Sequence, residues 1–384
     1  MSSVWDEVVG QPAAVAELGA AVADPAAMTH AWLFTGPPGS GRSVAARAFA
    51  AALQCADQGC GRCAACRTVM VGTHADVREV VPEGLSISVA EMRALVQLAA
   101  RRPATGRYQI LVVTDADRLT EGAANALLKA VEEPPERTVF LLCAPSDHPD
   151  DVRVTIRSRC RVVPLRVPAP AAVAEVLARR DGVDADTARW AASVCGGHVG
   201  RARRLARDPE ARARREAALA LPLRTRDIGD AFAHAATLVR SAKAEATEIS
   251  ETRDVAEREE LGVAMGAGGT GKGVAAAARG AKAAERELEK RQRSRSTRNV
   301  RDAIDRALVD MAGFLRDVLV AGSGAAVAPA NPDRVDDVRS ASAAWTPEST
   351  LRRLEAVLAC RAALEQNVKP EIAVEAMMVA LYQG

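Results

Sequence analysis

The string Gly36-Pro37-Pro38-Gly39-Ser40-Gly41-Arg42-Ser43 constrains this chain of 384 residues more than any other stretch. It follows G-x-x-x-x-G-K-[ST] except at one place, where Arg42 stands for the lysine. In that pattern backbone N–H groups of a glycine-rich loop cradle phosphates, and the lysine reaches the β and γ positions. Trp32-Leu33-Phe34-Thr35 before the loop reads as a short buried strand, and Val44 to Leu53 after it as an apolar helix. A strand that turns through glycines into a helix aims the helix N-terminus at an anion. The chain must therefore build an α/β layer around this loop, as a working nucleotide motor or as a relative that keeps only the shell.

The first half continues the alternation that the loop starts. Trp32–Thr35, Val77–Val81, Ile110–Val113 and Val139–Cys143 are the predicted strands. Between them fall helices such as Ser88–Arg101, opened by the capping box Ser88-Val89-Ala90-Glu91, and Thr120–Glu133, stopped by Pro134-Pro135. Such alternation argues for a parallel sheet covered on both faces. After Pro168 the strand signal ends, and Ala171–Arg180, Ala185–Val194 and Val199–Ala206 read as a small group of helices. Beyond Leu221 everything is helix or loop, with a Gly/Ala/Pro-rich break at Ala321–Pro332. The expected layout is an α/β P-loop domain over residues 1–167, a small helical lid over 168–218, and an all-α domain over 219–384 with a Gly-rich and basic insertion at about 240–300.

Composition narrows the class. The 51 basic and 49 acidic residues nearly cancel, so no global field marks a nucleic-acid binder and such a role would need local patches. No apolar run reaches the length of a membrane span, and Trp5, Asp6 and Glu7 break the layout of a secretory signal, so a cytoplasmic protein is expected. In a reducing compartment eight cysteines are metal ligands and core residues rather than disulfides. Cys55, Cys60, Cys63 and Cys66 form C-x4-C-x2-C-x2-C, four thiols within twelve residues, interleaved with Gly59, Gly61 and Arg62. That density suits a tetrahedral, structural zinc site with no position open for substrate. Cys143, Cys160, Cys195 and Cys360 are scattered and read as packing residues.

A hydrolytic loop of this type needs a strand that ends in an aspartate for Mg²⁺ and a residue that orients the attacking water. The candidate is Ile110-Leu111-Val112-Val113-Thr114-Asp115-Ala116-Asp117. Aligned on its four apolar residues, it puts neutral Thr114 at the metal position and Asp115, one methylene short, at the glutamate position. The other register makes Asp115 the metal ligand and leaves Ala116 facing the water. Either way a catalytic group is missing.

With these residues in view, the chain resembles the bacterial clamp-loader AAA+ subunits. The resemblance rests on Val8-Val9-Gly10-Gln11, on His30-Ala31-Trp32-Leu33-Phe34 and on Asn125-Ala126-Leu127-Leu128-Lys129 running on to Glu132-Glu133-Pro134-Pro135. The cysteine module after the first loop helix and Ser158-Arg159-Cys160 complete it. It covers roughly the first half of the chain, in order. The degraded loop makes it more similar to the delta-prime kind than to the ATP-hydrolysing gamma/tau kind. The resemblance implies an AAA+ module in a five-membered ring that opens a sliding clamp and places it on primed DNA. Gamma/tau and delta subunits would be the partners, the C-terminal helices would form the oligomerisation collar, and the setting would be the cytoplasmic replisome. It also implies that Arg159 acts in trans on a neighbour's ATP, and that the chain belongs to the DNA polymerase III holoenzyme without catalysing anything alone.

The candidate nucleotide residues are then Gly36, Gly39, Gly41, Arg42, Ser43, Thr114 and Asp115, with occupancy by ATP or ADP left open. A second-domain arginine expected after Cys195-Gly196-Gly197 falls one place late, at Arg201, with Gly200 in its position. Two alternatives stand beside this reading: an ATP-hydrolysing gamma/tau-like subunit, and a zinc-bearing DNA-binding protein on an AAA+ scaffold. Gly266-Ala267-Gly268-Gly269-Thr270-Gly271-Lys272-Gly273 mimics the loop but lacks the following Ser/Thr and a preceding strand, so it reads as a flexible hinge. The run Lys290, Arg291, Arg293, Arg295, Arg298 and Arg301 reads either as a DNA-phosphate contact or as a solvated helix face beside Glu285–Glu289.

Overall fold

In the computed structural model, residues 3–82, 84–264 and 274–384 are described, and they divide into two compact units, Met1–Ala206 and Arg207–Gly384. The glycine string 266–273 lies outside the described residues. The first unit holds five parallel strands: β1 (Ala31–Thr35), β2 (Val77–Val80), β3 (Gln109–Val113), β4 (Thr138–Ala144) and β5 (Arg161–Pro164). Their order is β2-β3-β4-β1-β5, with Ala31 opposite Phe140 and Trp32 opposite Arg161. The helices are α1 (Pro12–Ala23), α2 (Arg42–Gln54), α3 (Ala64–Met70), α4 (Val89–Ala99), α5 (Glu121–Glu132), α6 (Val154–Arg157), α7 (Pro170–Arg179), α8 (Ala185–Val194) and α9 (Val199–Arg207).

The period of two explains why these strands are apolar throughout. Trp32, Phe34, Ile110, Val112, Leu141 and Cys143 point to one face, and Leu33, Leu111, Val113, Phe140 and Leu142 to the other, and both faces are buried. On the first face lies α2, whose alanines at 45, 46, 48, 50, 51 and 52 are buried; small side chains let its backbone come close to the sheet. Phe49 fills the remaining space, edge-on to Trp32 at a centroid distance of 4.9 Å. The capping box at Ser88 and Glu91 forms as expected, and Thr120 caps α5 through the Ala123 amide. The strand β5 and the single turn α6 were not among the expected elements. Arg161-Val162-Val163-Pro164 is an edge strand with a half-exposed pattern, so neither a long apolar run nor a clear alternation announces it.

Buried polar residues fasten the loop that leads into β3. Asp76 is 2% exposed and accepts hydrogen bonds from the Ala104, Thr105 and Gly106 amides and from the Thr105 hydroxyl, at 2.6 to 2.9 Å. Its own burial pushes the carboxyl up, but these donors outweigh it and hold it near 2, below the usual 3.8. A carboxyl depressed in the folded state stabilises fully above its unfolded value, and that stability is lost as pH falls from near 4 through 2. Asp76→Asn should cost about 2 kcal/mol at pH 7 in urea unfolding, and the gap to the wild type should close across that acid window.

Among the described residues the second unit is built of helices: α10 (Pro209–Arg224), α11 (Ile228–Ala264), α12 (Val274–Ser323), α13 (Val335–Ala344), α14 (Pro347–Glu365) and α15 (Pro370–Gln383). Its core gathers Ile304, Leu308, Met311, Phe314 and Leu315 of α12 with Val357 of α14 and Val374, Met377 and Met378 of α15. Arg215 is buried and forks onto Asp333 and the Asn331 side chain, joining α10 to the loop that follows α12. Farther along, Arg295 lies between Asp254 at 2.5 Å and Glu257 at 2.6 Å, which joins α11 to α12.

Candidate nucleotide loop, cysteine cluster and arginine edge

The loop leaves the carboxyl end of β1, an interior strand, where ligands of open α/β sheets bind. Two of its glycines are required by the close fit. A Cβ on Gly36 would come within 2.5 Å of the Leu165 carbonyl, and Gly39, at φ +91, would bring one within 3.1 Å of the Gly196 carbonyl and His198 amide. The turn between α8 and α9 thus sits against the loop. Gln11 ties the same loop to the segment after β5: its side-chain amide donates to the Ser40 and Arg166 carbonyls and its oxygen accepts from the Arg166 amide. Gln11 entered the sequence reading only as part of a motif; its low exposure of 7% shows it to be a structural clasp.

Within the loop, Arg42 folds back. Its Nη1 donates to the Gly36 carbonyl at 2.6 Å, so the cation that should meet a phosphate is engaged by the loop itself. Ser43 is half-buried in the first turn of α2, and Gly41, at φ +86, caps that helix with no side-chain acceptor. At the end of β3 the Thr114 hydroxyl donates to the Val80 carbonyl at 3.0 Å, which the Thr114 amide also meets. That hydroxyl joins neighbouring strands. Asp115 opens a single 3-10 turn over Ala116–Arg118. Asp117, two places on, is half-buried; burial first and the Asp115 charge second push its carboxyl up. Gly200 is exposed in α9, and the Arg201 amide is capped by the His198 ring.

The four cysteines of the second motif do converge. Their sulfurs all lie within 4.8 Å of one another, with Cys55 to Cys60 at 3.6 Å and Cys55 to Cys63 at 3.7 Å. Left-handed backbone at Gln58, Gly59 and Gly61 folds the chain tightly enough to do this. Amides of Cys60 and Cys66 point at the sulfurs of Cys55 and Cys63, and the backbone around Arg62 and Cys63 holds the Cys60 thiol down to about 6. The first residues lie over the same loop: the Ser3 hydroxyl and the Val4 amide donate to the Gly59 carbonyl, and Trp5 Nε1 to that of Gln58. Four sulfurs so placed can hold a metal ion.

Arg159 stands just before β5, half-exposed, on an edge of alternating arginines. Arg153 meets Glu121 at 3.2 Å, Arg157 meets Asp147 at 2.7 Å, Arg159 meets Glu132 at 2.8 Å, and Arg161 meets Glu17 at 2.7 Å. The cationic appearance of Arg153 to Arg161 in the sequence is therefore answered, arginine by arginine, by carboxylates from elsewhere in the unit. In the basic run of the second unit, besides Arg295, Arg293 pairs with Glu289 and Arg298 with Asp302 along the same helix, and Arg301 donates to the Leu364 carbonyl and Asn367.

A glycine-rich loop between an interior strand and a helix, on a five-stranded parallel sheet followed by helices, is the P-loop α/β arrangement expected from the sequence. The family described as DNA polymerase III, delta subunit, matches residues 10–169. Among similar curated proteins is the DNA polymerase III subunit delta' of Pseudomonas aeruginosa, 38% identical over 156 residues, 39% of this chain and 47% of that one. The subunit delta' of Bacillus subtilis is 33% identical over 157 residues, 40% of this chain and 47% of that one. The subunit gamma/tau of Mycobacterium bovis is 37% identical over 191 residues, 47% of this chain and 32% of that one. This chain thus spans about a third to a half of the length of these relatives. Over the matched stretch the chain is similar to delta' and to gamma/tau subunits of DNA polymerase III alike. Among solved structures, a DNA polymerase III gamma subunit-related protein from Thermotoga maritima aligns over 96% of this chain and 98% of that one, at 15% identity and a TM-score of 0.40.

Proposed function

We propose that the chain is a delta-prime-like subunit of the DNA polymerase III clamp loader that does no chemistry alone and supplies Arg159 in trans to the ATP of a neighbouring subunit. The observation that carries this reading is the state of the loop. Arg42 is bonded to Gly36 and the Thr114 hydroxyl to Val80, so the two side chains that stand where phosphate and metal would be met are both turned inward. A planar, permanently charged guanidinium on an accessible edge suits the opposite task, neutralising charge on another subunit's γ-phosphoryl group. Gamma/tau and delta subunits, the sliding clamp and primed DNA are the partners of this reading. Its second unit serves as the oligomerisation collar, and the work is done in the cytoplasm. Among the described residues no helix is long and apolar enough to cross a membrane.

Zinc fits the cysteine cluster. A Zn–S bond of about 2.3 Å in a tetrahedron sets sulfurs about 3.8 Å apart, close to the 3.6 and 3.7 Å that separate Cys55 from Cys60 and Cys63. Zinc held by Cys55, Cys60, Cys63 and Cys66 would be a cross-link and no Lewis acid, since four thiolates leave no open position. The comparable identity to gamma/tau raises the reading of an ATP-hydrolysing subunit; Arg42 and Thr114 weigh against it.

ATP turnover by the purified chain, alone and assembled with gamma/tau and delta subunits, tests the proposal. The expected result is no turnover by the chain alone and an assembly whose turnover requires it. Robust hydrolysis by the chain alone would reject the proposal in favour of the gamma/tau-like reading.

A further inference from the structure

We infer that Glu132 is a positioning residue for Arg159, holding its guanidinium in a parked pose from which a neighbour's phosphate must draw it. The inference deepens the trans-arginine reading above and rests on it.

Arg159 is curled back on its own turn. Its Nη1 donates to the Thr155 carbonyl at 2.8 Å and to the Ser158 hydroxyl at 3.3 Å, and its Nη2 lies 2.8 Å from the Glu132 carboxylate. A side chain bound to the carbonyl four residues before it is not extended toward another molecule. What holds it there is an unusual helix end. Glu132 is the last residue of α5 and Glu133 caps it, so two carboxylates sit at the negative end of the helix dipole. Cations are favoured at that end and anions are not. Within the helix only Lys129 of the last turn offers a positive charge. Arg159, reached across 27 residues of chain, supplies the other at the Glu132 carboxylate. The acid costs its own helix stability and gains an arginine.

The guanidinium is a planar fork whose terminal nitrogens recognise carboxylate and phosphate by the same geometry. Glu132 and a γ-phosphate therefore compete for Arg159 Nη2. The strength of the pair suits a latch. Both side chains are 39% exposed, and an ion pair so open to water is weak. It biases the resting pose and yields to a multiply charged phosphate.

The test is steady-state ATP turnover by the reconstituted assembly carrying Glu132→Gln, Arg159→Ala or both, with thermal unfolding of each variant. Glu132→Gln should lower KM for ATP by about two- to fivefold with kcat unchanged, because saturating ATP displaces the latch in either protein. In the Arg159→Ala background the same change should do nothing. Unchanged KM in Glu132→Gln, with slowed turnover in Arg159→Ala, would overturn the latch and leave the trans arginine standing. Unchanged turnover in Arg159→Ala would overturn both. A lower kcat together with a lower unfolding temperature in Glu132→Gln would make the acid a structural residue and also overturn the latch.

Discussion

Arg159→Ala should slow ATP turnover at the site facing this subunit by at least about 10³-fold while leaving assembly intact, since arginines supplied in trans contribute about 10³ to 10⁵ in other NTPases. The substitution removes little from the chain itself. Arg159 is half-exposed, and its contacts are one surface ion pair and two hydrogen bonds on its own turn, so folding stability should change by less than about 1 kcal/mol. Arg157→Ala is the matched control: it removes a comparable pair with Asp147 from the same edge and should alter turnover by about twofold or less. The measurement is single-turnover hydrolysis by the reconstituted assembly, with size-exclusion chromatography to show that the ring still forms. Equal rates for wild type and Arg159→Ala would remove the trans role. Equal losses for Arg157→Ala and Arg159→Ala would reduce it to the general charge of the edge.

Removing a sulfur from the cysteine cluster should have the largest effect on stability. Cys66 is fully buried in the core that holds Trp32, Phe34 and Phe49, and Cys55 in the same core is 1% exposed. Loss of a structural metal is among the few single changes that cost more than about 4 kcal/mol, which in a unit of this size lowers the unfolding temperature by about 10 °C or more. Cys66→Ser should therefore give protein with little bound zinc by elemental analysis and an unfolding transition lower by that amount. Strong chelators should do the same to the wild type. Because thiols must lose protons to bind the metal, acidification should release it. Cys143→Ala separates metal loss from core loss. Cys143 is fully buried, and burial pushes its thiol up to about 12, but it stands on β4 away from the cluster. Its removal should cost packing alone and leave the zinc content unchanged. Full zinc content with unaltered stability in Cys66→Ser would remove Cys66 as a ligand, and wild-type protein without zinc would remove the metal from the proposal.

The parts of the site that could be read in the sequence are those made by neighbours in the chain. The cysteines sit within twelve residues, so their convergence needs only the turns that Gly59 and Gly61 permit. The loop is eight residues long and flanked by a strand and a helix whose apolar patterns are unmistakable. Capping boxes and proline stops likewise act over three or four residues, and α4 and α5 end close to where they are predicted. The edge strand β5 escaped because its identity comes from pairing with β1, a partner more than a hundred residues earlier.

The departures from the phosphate-loop pattern were visible as residue types, Arg42 for lysine and, in one of two registers, Thr114 for aspartate, but not which contacts those residues make. Arg42 closing on Gly36, Thr114 closing on Val80, and Gln11 joining Ser40 to Arg166 are contacts between segments that only the folded sheet brings together. The same holds for charge. The sequence determined that Arg153 to Arg161 is basic and that α5 ends in two acids; both facts are local. Only the tertiary structure decided that Arg159 of that run pairs with Glu132, because an ion pair depends on distance in space, and the helix α5 and the turn before β5 meet only once β4 has run between them.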